Sequence, residues 1–218
     1  MDQRVKVLDW PVKLLILSKL RNKDTPHLEF VHATNRLSHL LWEWVLGFEH
    51  PIYVETPRQG VMSEYTHYSL PEQKFTVVSI LRSAEAMVHV GPLLTEGNFS
   101  FGKILIQRDE ESLEKLPKLF YKKLPKDISQ RIVYVADNML GTGSTAAMAI
   151  DVLISEGCEV KNMRFVNIIS CNEGIERLRS RYPELTIYTA QIDPVLSESK
   201  YIVPGVGDFG DRYYNTPH

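Results

Sequence analysis

The segment 131–150, RIVYVADNMLGTGSTAAMAI, constrains the fold more than any other part of the chain. Ile132, Val133, Tyr134 and Val135 form a short run rich in β-formers, the pattern of an interior parallel strand covered on both faces. Asp137 stands at the C-terminal end of that strand. Gly141, Thr142, Gly143, Ser144 and Thr145 follow as a small-residue turn, and an alanine-rich helix begins there, with Ile150, Leu153 and Ile154 as its apolar marks. In open α/β sheets, ligands bind outside the carboxyl ends of the strands. A glycine-containing turn lets backbone N–H groups approach a ligand, and the N-terminus of the next helix favours an anion. The segment therefore predicts a phosphate held by backbone amides and hydroxyls, beside a carboxylate that accepts from hydroxyl groups.

Other motifs compete for the same residues. GTGSTA at 141–146 fits the G-x-G-x-x-A form of the dinucleotide fingerprint, which wants an acid about 20 residues on, at the end of the next strand. That strand, at 163–169, ends in Ser170, and the acid here precedes the glycines instead. A Walker A loop needs Gly-Lys-Ser/Thr, and no lysine lies between Arg131 and Lys161. A plain strand–turn–helix connection is the remaining alternative, because glycine turns are common.

The rest of the chain alternates between the two periodicities. Strands are expected at 76–81, 103–107, 119–124, 163–169 and 185–190. Helices are expected at 84–94, 144–156 and 172–182, and a short strand with a hairpin or loop within 49–74. Such alternation argues for an α/β fold, a mostly parallel sheet flanked by helices. Thr25–Pro26 reads as an N-cap and first helical position, opening a long amphipathic helix over 26–47. Trp42 and Trp44 on that helix are two positions apart, hence about 200° apart in projection. This spacing predicts one tryptophan in the core and the other outside or in a subunit contact.

At 218 residues, a single domain spanning 1–218 is expected. A net charge of −2 gives no basic surplus to recommend nucleic acid. The apolar run 14–17, like every other in the chain, is too short to cross a bilayer, and the N-terminus lacks the apolar core of a signal peptide. Cys158 and Cys171 have no cysteine or histidine at metal spacing, which points to reduced thiols and a cytoplasmic location.

Arg82 directly follows the strand 76–81, and Arg108 directly follows 103–107. Parallel strands would bring both to the sheet edge that carries Asp137. Guanidinium groups bind phosphates bidentately and keep their charge. The implied ligand has a monophosphate at one end, hydroxyls in the middle and more phosphate at the other, as in an activated sugar phosphate. A second informative segment is YIVPGVGDFGDR at 201–212. Its Gly205, Gly207 and Gly210, with Pro204, make a turn-rich loop able to expose backbone to a ligand. It lacks the alternating oxygen ligands and later glutamate of a calcium loop.

Together these segments resemble the uracil phosphoribosyltransferase family in its eukaryotic type, over nearly the whole chain from Pro11 to Tyr214. SILRSAEAM (79–87) resembles the family's ILRAG pyrophosphate loop, and DNMLGTGST (137–145) its DPMLATGGS motif. GKILIQRDEES (102–112) and LPKLFYKKLPKDISQR (116–131) are similar to the eukaryotic type almost word for word. YIVPGVGDFGDRYY (201–214) is similar to the uracil-recognition loop, the most family-specific piece. The resemblance implies a type I phosphoribosyltransferase-like fold with a small hood formed by the N- and C-terminal segments. It implies transfer of phosphoribosyl from 5-phosphoribosyl 1-diphosphate (PRPP) to uracil, giving UMP and diphosphate, with Mg²⁺.

By the same resemblance Asp137, Arg82, Arg108 and Asp208 are the catalytic residues. PRPP is held by Arg82, Arg108, Asp208 and the run Asp137, Asn138, Met139, Leu140, Gly141, Thr142, Gly143, Ser144 and Thr145. Uracil is held by Tyr201, Ile202, Gly207, Asp208 and Phe209. Asp208 meets the metal indirectly, through PRPP and water. A homodimer or homotetramer and GTP activation are also implied. A non-catalytic PRPP- or nucleotide-binding relative, acting as sensor or partner subunit, is the reading from a different class. The departures from the motifs include Asn138 for Pro, Ser144 for the second Gly of the pair, and Ala84 for the Gly that follows the arginine segment. If position 84 required positive φ, alanine would be strained there.

Overall fold

The computed structural model describes residues 3–49, 54–69, 73–88, 99–108 and 117–216, with Glu49 and Arg108 described by their backbone alone. The chain runs β1 (Val5–Val7), α1 (Val12–Arg21), α2 (His27–Glu49), β2 (Val54–Gln59), β3 (Glu64–Ser69), β4 (Phe75–Leu81) and α3 (Glu85–Val88). It continues with β5 (Phe99–Arg108), β6 (Pro117–Lys123), β7 (Ile132–Ala136), β8 (Met139–Leu140), α4 (Ser144–Ser155) and β9 (Met163–Cys171). The last elements are α5 (Asn172–Arg181), β10 (Thr186–Asp193), β11 (Val195–Leu196), β12 (Ile202–Val203) and α6 (Phe209–Tyr214).

The central sheet has the order β1-β10-β9-β7-β4-β5-β6, with β8 added beside β9. Every pairing in it is parallel except β5 with the edge strand β6. The interior strands are apolar without alternation, and β4 and β7 are buried almost throughout, because helices cover both faces. One layer holds α1, α2, α3 and α6 against Tyr134, Val166 and Tyr188. The other holds α4 and α5 against Val133, Val135, Phe165 and Ile187. This is the expected α/β architecture, and the six strands expected at 76–81, 103–107, 119–124, 132–136, 163–169 and 185–190 are all present. The hairpin expected within 49–74 is β2–β3. Of the helix expected over 84–94, the described part is α3, and residues 89–94 lie outside the described residues.

One expectation is corrected. Both tryptophans of α2 are buried within the subunit, Trp42 at 1% exposure and Trp44 at 7%. The helix lies across several strands, so side chains on its two flanks both reach the sheet. Trp42 meets Tyr134 of β7 edge-on at 5.7 Å, and Trp44 meets Tyr188 of β10 at 5.7 Å and Phe48 at 5.1 Å. Neither ring needs a second subunit to cover it. The indole Nε1–H of Trp42 donates to the carbonyl of Met87 at 3.0 Å, tying α2 to α3 behind the Arg82 loop. Trp42→Phe removes that donor and leaves a buried carbonyl unpaired, so it should cost about 1–3 kcal/mol in urea denaturation. An unchanged midpoint would show that the bond contributes nothing.

Candidate active site

The site lies where the strand order reverses. From β4 the chain moves outward to β5, whereas from β7 it moves the other way to β9 and β10. The helix after β4 packs on one face and the helix after β7 on the other. A crevice therefore opens at the carboxyl ends of these two adjacent strands. Arg82 follows β4 and Asp137 follows β7, so the sequence puts one cation and one anion at its lips. β5 runs parallel to β4 and ends in Arg108, whose backbone reaches the same edge.

A cavity of about 370 Å³ fills the crevice. Its floor is the turn Met139–Thr145, and its opposite wall is Tyr201, Ile202, Gly207, Asp208 and Phe209. Arg82 and Asp137 lie between them. Every expected site residue is thus brought to one place except two. Arg108 contributes only its described backbone. Asn138 does not line the cavity and is fully buried, and its side-chain amide donates to the carbonyl of Ser83. Its backbone carbonyl accepts from Ile168 and Ile169, both at 3.1 Å. Asn138 therefore braces the Arg82 loop against the Asp137 turn, where direct PRPP contact was expected. A side chain with a donor can tie the two segments together, which the proline of the related motif could not.

The turn is built for an anion. Gly143 caps α4 with φ +79°, a conformation open to glycine at little cost, and the first helical residue is Ser144. Thr142 Oγ1 lies 3.3 Å from Ser144 Oγ and accepts from the Ser144 amide at 3.4 Å, so two hydroxyls gather at the helix start, which favours an anion. Ser144 thus puts a hydroxyl where the related motif has glycine.

Asp137 is buried at the end of an apolar strand. It accepts from the hydroxyl of Ser83 at 3.1 Å and from the amide of Asn138 at 2.8 Å, both on Oδ1. Burial pushes its carboxyl up to about 7, against the opposing pull of these donors. Ser83 was not expected at the site. Its signal was present in the sequence, a hydroxyl beside Arg82 in the loop facing Asp137, but only the fold shows the contact. Ala146, Lys200 and Gly210 also line the cavity without having been expected.

Arg82 is half exposed and is engaged by the C-terminal helix. It pairs with Asp211 at 3.3 Å, lies over the Tyr214 ring at 5.1 Å, and its carbonyl accepts from the Tyr214 hydroxyl at 3.0 Å. Asp208 caps α6, accepting from the amide of Asp211 at 2.9 Å through Oδ1. Its other carboxylate oxygen remains for a ligand. Ala84 is buried, and the non-glycine residues with positive φ among the described ones are Lys200 and Asn215. Position 84 therefore has a backbone that alanine adopts freely.

Known proteins resemble this chain in sequence and fold. A family model described as uracil phosphoribosyltransferase matches residues 7–216. The chain belongs to the uracil phosphoribosyltransferase family. Uracil phosphoribosyltransferase of Saccharomyces cerevisiae is 43% identical over 196 residues, covering 89% of this chain and 88% of that one. Uracil phosphoribosyltransferase 2 of Schizosaccharomyces pombe is 39% identical over 217 residues, covering 98% and 96%. The solved structure of the AQ2163 protein from Aquifex aeolicus shares the fold, with a TM-score of 0.84 at 24% identity, covering 97% and 98%. The segments 139–145 and 201–209 of this chain line the cavity from two sides; the departure at 144 is among the lining residues, and that at 138 is buried outside them.

The raised carboxyl of Asp137 has a consequence for stability. The folded value, about 7, exceeds the ordinary 3.8, so the folded state holds the proton more tightly. The advantage is complete below the unfolded value and is lost as pH rises toward 7. The ligand-free protein should therefore lose stability relative to Asp137→Asn between pH 4 and 7, by up to roughly 4 kcal/mol. Parallel stability profiles for the two proteins would show that the carboxyl is not shifted.

Proposed function

We propose that the chain transfers the phosphoribosyl group of PRPP to uracil, giving UMP and diphosphate, with residues 1–218 acting as one catalytic domain. The observation that carries this reading is that one cavity is lined at once by the anion turn, by Asp137 and by the loop 201–209. The monophosphate is seated on the amides and hydroxyls of Gly141–Thr145, at the positive end of α4. Asp137, once ionised, accepts from the ribose hydroxyls and steadies the positive charge that develops on the ribose ring. Arg82 binds the diphosphate by exchanging the carboxylate of Asp211 for phosphate oxygens. Arg108 approaches the diphosphate from the end of β5.

The donor set decides how Mg²⁺ would be held. Among the described residues no group of three His, Cys, Asp or Glu side chains converges. Mg²⁺ would then be held largely by diphosphate oxygens and water, and Asp208, whose second carboxylate oxygen has no partner among the described residues, would meet that water. When bound, Mg²⁺ supplies positive charge to the departing diphosphate. The base is read by backbone. Ser197 N–H donates to the carbonyl of Tyr201 at 2.7 Å, so by the alternation of an antiparallel ladder the next pair, Leu196 and Ile202, is not hydrogen-bonded. The polar groups of Ile202 therefore face away from β11. With Gly207 they can meet an acceptor–donor–acceptor edge, which uracil has and cytosine lacks. Phe209 and Tyr201 lie beside them.

Assembly follows from the hairpin β2–β3 rather than from the tryptophans. Val61 and Met62 at its tip are fully exposed, and Tyr65 and Tyr68 are exposed along it. An exposed apolar hairpin is better covered by a second copy than by water, which supports a homodimer or homotetramer. GTP activation rests on the family resemblance.

The deciding experiment combines protein, uracil, PRPP and Mg²⁺ and measures UMP. Wild-type protein should form UMP, and a folded Asp137→Asn should turn over about 10²–10³-fold more slowly. Turnover by Asp137→Asn close to wild type would remove that carboxylate from the reaction. Uracil should be preferred to cytosine by about 10⁴, because cytosine would leave buried polar groups unpaired. Equal rates would show that the loop does not read the base edge.

A further inference from the structure

The loop that reads the base has no neighbouring strand after Val203, yet its backbone is held by groups far away in sequence. Asp193 ends β10 and is 2% exposed. Its Oδ2 accepts from the amide of Gly205 at 2.8 Å. Arg21 ends α1 and forks onto the same carboxylate, at 2.7 Å to Oδ1 and 2.8 Å to Oδ2. The same guanidinium donates to the carbonyl of Gly205 at 3.0 Å. Arg212 of α6 completes the clamp. It donates to the carbonyl of Val206 at 2.7 Å, to that of Asn22 at 2.7 Å and to that of Leu20, and stacks 4.2 Å over the Phe30 ring.

These bonds leave a particular pair of residues for the ligand. Gly205 and Val206 do not line the cavity, whereas Ile202 and Gly207 on either side of them do. Gly205 has φ +54°, and a side chain there would strike the carbonyl oxygen of Ile202. The position of Gly205 therefore fixes where the Ile202 carbonyl lies. We infer that Arg21 and Asp193, with Arg212, are positioning residues for base selection: they anchor Gly205 and Val206 so that the backbone groups of Ile202 and Gly207 meet the pyrimidine edge. This rests on the reading of the site as a uracil phosphoribosyltransferase. Arg21 serves three acceptor contacts, two on the carboxylate and one on Gly205. A lysine can neutralise Asp193 but has no planar fork to hold the carboxylate and the carbonyl together. A charge pair kept for folding alone is weakly motivated, since buried pairs add little net stability. A pair that also binds the loop backbone has a second task.

The test is the steady-state kinetics of wild type, Arg21→Lys and Asp193→Asn with uracil, cytosine and PRPP, with melting temperatures measured alongside. In Arg21→Lys, KM for uracil should rise about tenfold or more while KM for PRPP stays within about twofold, and the preference for uracil over cytosine should fall about tenfold. Asp193→Asn should move the same constants in the same direction. Arg21→Ala should regain part of its uracil affinity when guanidinium ion is added, because Arg21 is partly exposed. If Asp193→Asn fails to fold, Arg21→Lys carries the test, since its ammonium still faces the carboxylate. A folded Arg21→Lys with wild-type KM for uracil and wild-type selectivity overturns the inference. So does a rise in KM for both substrates together, which marks a general structural role. Wild-type protein that forms no UMP overturns the functional reading and the inference with it, whereas active wild type with unmoved variants overturns the inference alone.

Discussion

The reversal of strand order between β4 and β7 is the constraint on which the site depends. Two neighbouring strands are followed by helices on opposite faces, so the sheet cannot close over their carboxyl ends. The crevice is a consequence of connectivity and needs no special residue to open it. The residues just past each strand then decide its chemistry. Arg82 after β4, Asp137 after β7 and the turn running into α4 place a cation, a carboxylate and an anion cradle within one cavity. The start of α6 lines the same cavity, and Arg212 fastens that helix to the carbonyls of Leu20 and Asn22 at the end of α1.

Without substrate, the charges are held by one another. Arg82 pairs with Asp211 and packs on Tyr214. Asp137 keeps its proton more readily than an exposed carboxyl because burial opposes its charge. In the proposed reaction, phosphate oxygens would take the place of Asp211 at Arg82, and ribose hydroxyls would add to the few donors that Asp137 has. The network around Asp137 also joins segments that the related motifs leave unconnected by side chains. Ser83 donates to Asp137, and Asn138 donates back to the carbonyl of Ser83. A departure from the expected motif at 138 thus has a structural role that a residue-by-residue comparison does not disclose.

Much of this was legible in the chain. The continuous apolar run at 132–136 and the glycine turn after it are local signals, and so is an arginine at a strand end. Periodicity placed the interior strands for the same reason. What escaped had no local signal. β1 is three residues long and is a strand only because β10 lies beside it. α1 was hidden by a short apolar run after Pro11, and α6 by the glycines and aspartates of a segment that reads as a loop. The tryptophans were misjudged because helical projection assigns a residue to one face, whereas a helix crossing several strands buries both flanks. The hold of Arg21 and Asp193 on Gly205 joins positions at opposite ends of the sequence, so no spacing rule could reveal it.

The proposed function requires one cavity to seat the phosphate on the turn before α4 and the base on the segment 201–209. A crystal structure with UMP bound tests it most directly. The account predicts the phosphate within hydrogen-bonding distance of the amides of Gly141–Thr145, the ribose hydroxyls on Asp137, and the uracil edge on the backbone of Ile202 and Gly207. A phosphate bound away from that turn, or a base that makes no backbone contact with the loop, would contradict it.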